Sequence, residues 1–172
     1  MNDVKILLEE LIKFEAGLEI DKTQHDGVPL VDISFLHGDT TAGREVASRM
    51  LSEAASGDMG AIDSEINSRG LKYSIYGTPY SVDIGVLVPL ILNYVELPVG
   101  VFAIARTTDS GNGECLASKV SKCEECHVFF VCKTKRRSRF CTQSCRTEFV
   151  NRERRESGYF KKYYRDRLKP RS

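Results

Sequence analysis

Four cysteines set the chemistry open to this chain. Cys123 and Cys126 have two residues between them, and after a further fourteen residues Cys141 and Cys145 follow with three between them. Each pair is close enough to grip one side of a small cation, and the intervening loop is long enough to bring the second pair round to the other side. Four sulfurs at roughly 2.3 Å then complete a tetrahedron around Zn²⁺. A site closed in this way has no position for water or substrate, so the expected ion is a structural zinc. The expected role is recognition, with no enzymatic activity.

Other uses of these thiols fit less well. Six cysteines could form disulfides in an oxidising compartment, but Met1-Asn2-Asp3-Val4 opens into an amphipathic pattern with acids inside it, not into a signal peptide. A reducing cytoplasm is the expectation. A redox Cys-x-x-Cys normally opens a helix after a strand, and the segment before Cys123 supplies no such unit. Cys115 and Cys132 are left over. Cys132 reads as a small buried apolar residue, and it and His127 are the substitutes should one of the four ligands be misassigned.

The residues around the cysteines indicate the elements that hold them. His127 to Cys132 is a short β-prone run, Lys133 to Ser138 is polar enough to turn, and Arg139-Phe140 is expected to return as a second strand. Thr142 or Ser144 can cap a helix that carries Cys145 in its first turn. Knuckle, hairpin and ligand-bearing helix is the order of a treble-clef finger. A Cys-x-x-Cys, an aromatic pair, a basic stretch, Phe-Cys-x-x-x-Cys-Arg and then a basic helix resemble the FCS/CGNR-type zinc fingers over about residues 120 to 165. Cys145 is followed by Arg146-Thr147-Glu148 where the CGNR pattern has Gly-Asn-Arg. The resemblance implies a C-terminal finger of the sort carried by bacterial transcription regulators, with DNA as its partner.

Charge points the same way. The net charge of +1 averages two opposite parts. Residues 1–118 hold 8 Lys/Arg against 18 Asp/Glu, a balance of −10, whereas residues 119–172 hold 17 against 6, a balance of +11. Four thiolates and one Zn²⁺ would leave the second part at about +9. Such a surface relieves its self-repulsion on a polyanion, releasing condensed counterions as it binds. The candidate contacts are Lys133, Lys135, Arg136, Arg137 and Arg139 in the expected hairpin tip, and Arg146, Arg152, Arg154 and Arg155 on the expected helix. Double-stranded DNA is the first candidate partner; the alternative is a zinc-stapled adaptor for an acidic protein or RNA. Phe149, Phe160 and Tyr164 would share one helical stripe if the helix ran on through Gly158.

The charge step divides the chain into an acidic α+β domain over 1–118 and a basic four-cysteine zinc-finger domain over 119–172, a mixed α+β class overall. In the first, a helix is expected over 2–15 with Val4, Leu7, Leu8, Leu11 and Ile12 on one face. A strand over Leu30–Leu36 follows, closed by His37-Gly38-Asp39, where a turn is the default over any catalysis. A helix is expected from Thr40 or Thr41 to Ser56-Gly57, a shorter one over Asp58–Ser68, and a hairpin over Leu71–Ile84. The apolar run from Gly85 to Ala105 is broken by Pro89, Asn93, Glu96 and Pro98, so it reads as a buried helix near 86–95 and a buried strand near 99–105, with no membrane span. Thr107 to Asn112 reads as a linker. The role of the acidic domain is open, a small ligand or a protein being the partners considered.

Overall fold

Val4, Leu7, Leu8, Leu11 and Ile12 recur every three or four residues and fold as helix α1 (Asn2–Glu15), all five buried together with Phe14. The computed structural model describes residues 2–18, 24–25, 28–29, 38–69, 93–108, 114–133, 137–159, 163 and 165. A short antiparallel pair, β1 (Gln24–His25) and β2 (Val28–Pro29), follows α1. The strand expected over Leu30–Leu36, His37, the hairpin expected over Leu71–Ile84 and most of the helix expected near 86–95 lie outside the described residues.

Helix α2 (Thr40–Ser56) starts where the Asp39 carboxylate accepts from the Thr41 N–H at 2.7 Å. It ends at Gly57, whose φ of 89° is the left-handed turn-out that glycine takes without a Cβ penalty. Helix α3 (Met59–Ser68) is capped by Asp58 and buries Ile62 and Ile66.

Helix α4 (Glu96–Thr107) corrects the expected strand near 99–105. Every residue from Leu97 to Ala105 is buried, so the sequence shows no polar face whose spacing would tell helix from strand. The Asn93 side chain accepts from the N–H groups of Val95 and Glu96 at 3.0 Å each and starts the helix. Pro98 sits in its first turn, where a missing N–H costs nothing.

A 3₁₀ turn (Leu116–Lys119) leads into β3 (Val120–Lys122), which pairs antiparallel with β4 (Phe129–Val131) in the register Val120↔Val131 and Lys122↔Phe129. β3 packs on α2 and β4 on α1. The partner of the 129–131 strand is therefore upstream of the first cysteine pair, and the expected return strand at Arg139-Phe140 does not form. Pairing with β3 lets Val120 and Val131 enter the helical core, a burial that Arg139 cannot offer.

The charge step at Ser118 is not a break in packing. Leu116, Ala117, Val120, Phe129 and Val131 belong to the same apolar core as the inward faces of α1 to α4. Of the expected linker over 107–112, Thr107 ends α4 and Thr108 caps it, its carbonyl accepting from the Leu116 N–H at 2.9 Å, while 109–112 lie outside the described residues. Arg106 fixes this end of α4: its guanidinium donates to both carboxylate oxygens of Asp63 at 2.7 Å and lies 3.1 Å from the Cys115 sulfur.

Helix α5 (Gln143–Glu156) is capped by Thr142, whose hydroxyl accepts from the Cys145 N–H at 3.2 Å. It stops before Gly158, which takes a φ of 68°, so no regular helix runs through that glycine. Among the described residues the fold is thus mainly helical with two small two-stranded sheets, an α+β arrangement with a C-terminal cysteine cluster. No helix among the described residues is long and apolar enough to cross a membrane.

Candidate metal centre

The turn joining β3 to β4 carries the first cysteine pair. The Cys123 N–H donates to the Val128 carbonyl at 2.9 Å and the His127 N–H donates to the Cys123 carbonyl at 3.0 Å, which curls residues 123–128 into a knuckle. This curl puts His127 at a φ of 59°, a left-handed conformation that a residue with a Cβ rarely takes. The second pair is held by the start of α5, with Cys141 just before its Thr142 cap and Cys145 in the first turn.

These elements bring the sulfurs of Cys123, Cys126, Cys141 and Cys145 within 4.8 Å of one another. The Cys126–Cys141 and Cys141–Cys145 separations are 3.6 Å each. A disulfide needs about 2.05 Å. A tetrahedron with metal–sulfur bonds of roughly 2.3 Å has edges of about 3.8 Å. The cluster therefore has the dimensions of a four-thiolate cage, and all four cysteines are free. Neither His127 nor Cys132 joins it. The Cys132 sulfur instead accepts from the Ser138 N–H at 3.3 Å and lies 3.3 Å from the Ser121 hydroxyl, pinning the loop that follows β4.

The electrostatics suit a cation. Burial pushes the Cys123 thiol up, but the backbone N–H groups of Cys126, Cys141 and Glu125 point at its sulfur and together outweigh this, so it ionises at about 6. Burial and then the neighbouring thiols push Cys141 up to about 12, since a second thiolate beside the first is unfavourable without a positive ion between them. A divalent ion removes that conflict and takes all four as thiolates.

Around the cage lie two ion pairs absent from the expectations above. Glu124 grips Arg139 through both carboxylate oxygens, and the Arg139 carbonyl accepts from the Glu124 N–H at 3.0 Å. Arg139 holds the Glu124 carboxyl below its ordinary range. Arg152 reaches back from α5 to place one nitrogen 2.7 Å from both oxygens of Glu125. The Phe140 and Phe149 rings meet at 5.2 Å, with the Arg139 guanidinium 5.5 Å from each and that of Arg152 5.3 Å from Phe149.

The basic residues expected to meet phosphate therefore divide. Arg139 and Arg152 are engaged by the knuckle glutamates, and Arg137 donates to the carbonyls of Ala54 and Ala55 at 3.0 and 2.8 Å, capping the C-terminal end of α2. Lys133, Arg146, Arg154 and Arg155 are exposed, Arg154 lying over the Tyr159 ring. Lys135 and Arg136 lie outside the described residues. Over α5 as a whole the excess of positive charge is small, four arginines against three glutamates. Compared with known proteins, the chain matches no family model, no curated protein and no solved structure.

Proposed function

We propose that the chain is a zinc-stapled nucleic-acid-binding protein of the transcription-regulator kind, with double-stranded DNA as its partner. Zinc is favoured by the all-thiolate donor set at tetrahedral spacing. A treble-clef-like reading is supported by a knuckle in a β-turn followed by a second cysteine pair at a helix N-terminus.

One observation carries the nucleic-acid reading: the way α5 sorts its charges. At 100° per residue, Arg146, Thr147, Val150, Asn151, Arg154 and Arg155 occupy one half of the helix. The other half holds Cys145, Phe149 and Arg152, which serve the cysteine cluster, and all three glutamates of the helix. The first half is thus free of acid and carries arginine and asparagine, the side chains best suited to purine edges in a major groove, with Arg146, Arg154 and Arg155 exposed on it. The helices of residues 1–118 act as the platform, since β3 and β4 rest on α2 and α1.

The test is duplex binding measured across salt, with Arg146, Arg154 and Arg155 each changed to Glu. Three phosphate contacts give a log–log salt slope of about −3, which the triple variant removes. Binding unchanged by the reversal would refute the reading. A second reading, an adaptor for RNA, is favoured by the exposed Tyr159 and Tyr163 rings, stacked at 6.2 Å with Arg154 over Tyr159, a surface on which unpaired bases could stack. Titration with single-stranded RNA beside the duplex decides between them.

A further inference from the structure

The second cysteine pair reaches the first only after a loop of fourteen residues, and the two halves are also joined by contacts other than sulfur. Two of these contacts start in the knuckle itself. Glu124 and Glu125 are the two residues between Cys123 and Cys126. Their partners flank the second pair, Arg139 two residues before Cys141 and Arg152 two helical turns after Cys145. One acid grips each side of the incoming segment, and the Phe140–Phe149 contact packs beneath both guanidiniums.

We infer that Glu124 and Glu125 are positioning residues for the metal: they draw the second thiol pair onto the first and set how slowly a bound divalent ion escapes. This rests on the metal reading of the cluster. Neither carboxylate is a ligand in the four-sulfur set. Escape requires the pairs to part, and parting must break both clamps. The two are not equal. The Glu125 side chain is 15% exposed and that of Glu124 39%, so solvent and salt screen the Glu124–Arg139 pair more. Glu125 is therefore the stronger of the two.

The experiment uses the full chain loaded with Co²⁺, whose thiolate bands report the four-sulfur environment, and follows loss of the bands in excess chelator. Glu124→Gln with Glu125→Gln leaves the bands of the loaded form unchanged and speeds loss about tenfold at low salt, roughly threefold or more per pair with Glu125→Gln the larger. Exposed Glu148→Gln leaves the rate unchanged. Reversing the Glu125–Arg152 pair, Glu125→Arg with Arg152→Glu, restores slow loss, which a merely structural effect of the single changes would not allow. The unmutated chain supplies an independent arm: raising salt accelerates its loss toward the rate of the double variant, whose own rate stays flat. Loss rates within twofold of one another, with the same salt response, would overturn the inference alone. A wild-type chain that gave no cobalt–thiolate bands would overturn the metal reading and the inference with it.

Discussion

Phe129→Ala is the substitution that best exposes how the cysteine cluster is anchored. Phe129 lies in β4, opposite Lys122 and two strand residues from Val131, and is 5% exposed in the core shared with α1 to α4. Truncating a buried phenylalanine costs about 3–5 kcal/mol. The ring borders the clefts on both sides of β4, so water can enter part of the space it leaves, which favours the lower end of that range. Loss of the Lys122 ammonium from over the ring, 5.2 Å away, adds about 0.5 kcal/mol. For a chain of this size about 3 kcal/mol lowers the melting temperature by roughly 6–12 °C. The assay follows thermal unfolding of the Co²⁺-loaded chain by helical circular dichroism and by the cobalt–thiolate bands together. One core spanning the charge step requires both signals to fall in one transition, and both to shift by the same amount in the variant. If the thiolate bands were lost earlier while the helices kept the wild-type midpoint, the hairpin would be a separate unit and the shared core would be refuted.

Three further outcomes follow from particular residues. Gly43→Ala should destabilise by about 1–3 kcal/mol in denaturant unfolding, although alanine is the better helix former, because a Cβ there would lie 2.5 Å from the Tyr94 carbonyl oxygen; a gain in stability would contradict the packing of α2 against the start of α4. His127→Val should cost about 1–2 kcal/mol, since a β-branched residue resists the left-handed φ that the knuckle imposes, whereas His127→Gly should be tolerated or beneficial. Metal affinity should rise with pH: the Cys141 proton, held up to about 12, must leave on binding, so competition titrations should show at least about a tenfold loss per pH unit lowered, steepening below about 6 where Cys123 also holds a proton. An affinity flat from pH 6 to 8 would exclude thiolate ligation.

Much of the cluster was legible because its chemistry is local in sequence. The grouping of the four cysteines, the Thr142 cap and helices α1 to α3 follow from spacing, capping residues and amphipathic stripes, which need no knowledge of the tertiary fold. α4 was misread because a segment buried on every side has no periodicity to display. The partner of β4 was misread because three-residue strands are too short to alternate visibly, and the choice between Val120 and Arg139 is made by the helices against which the hairpin packs. Counting charge treated Arg137, Arg139 and Arg152 as free for phosphate. Their partners at Ala54 and Ala55, Glu124 and Glu125 are brought close only once the cysteines and the core have folded the chain. The pattern Cys-Glu-Glu-Cys with arginines flanking the second cysteine pair was the available signal for the clamp, and it becomes readable when acids and bases are paired rather than summed.

The whole account depends on one ion between four sulfurs, and the metal content of the purified chain tests it most directly. Elemental analysis of material produced without added metal should find one zinc per chain, reduced to none or a small fraction by Cys126→Ser with Cys141→Ser while the helical signal persists. A wild-type chain with no bound metal, and no uptake of zinc or cobalt under reducing conditions, would contradict it.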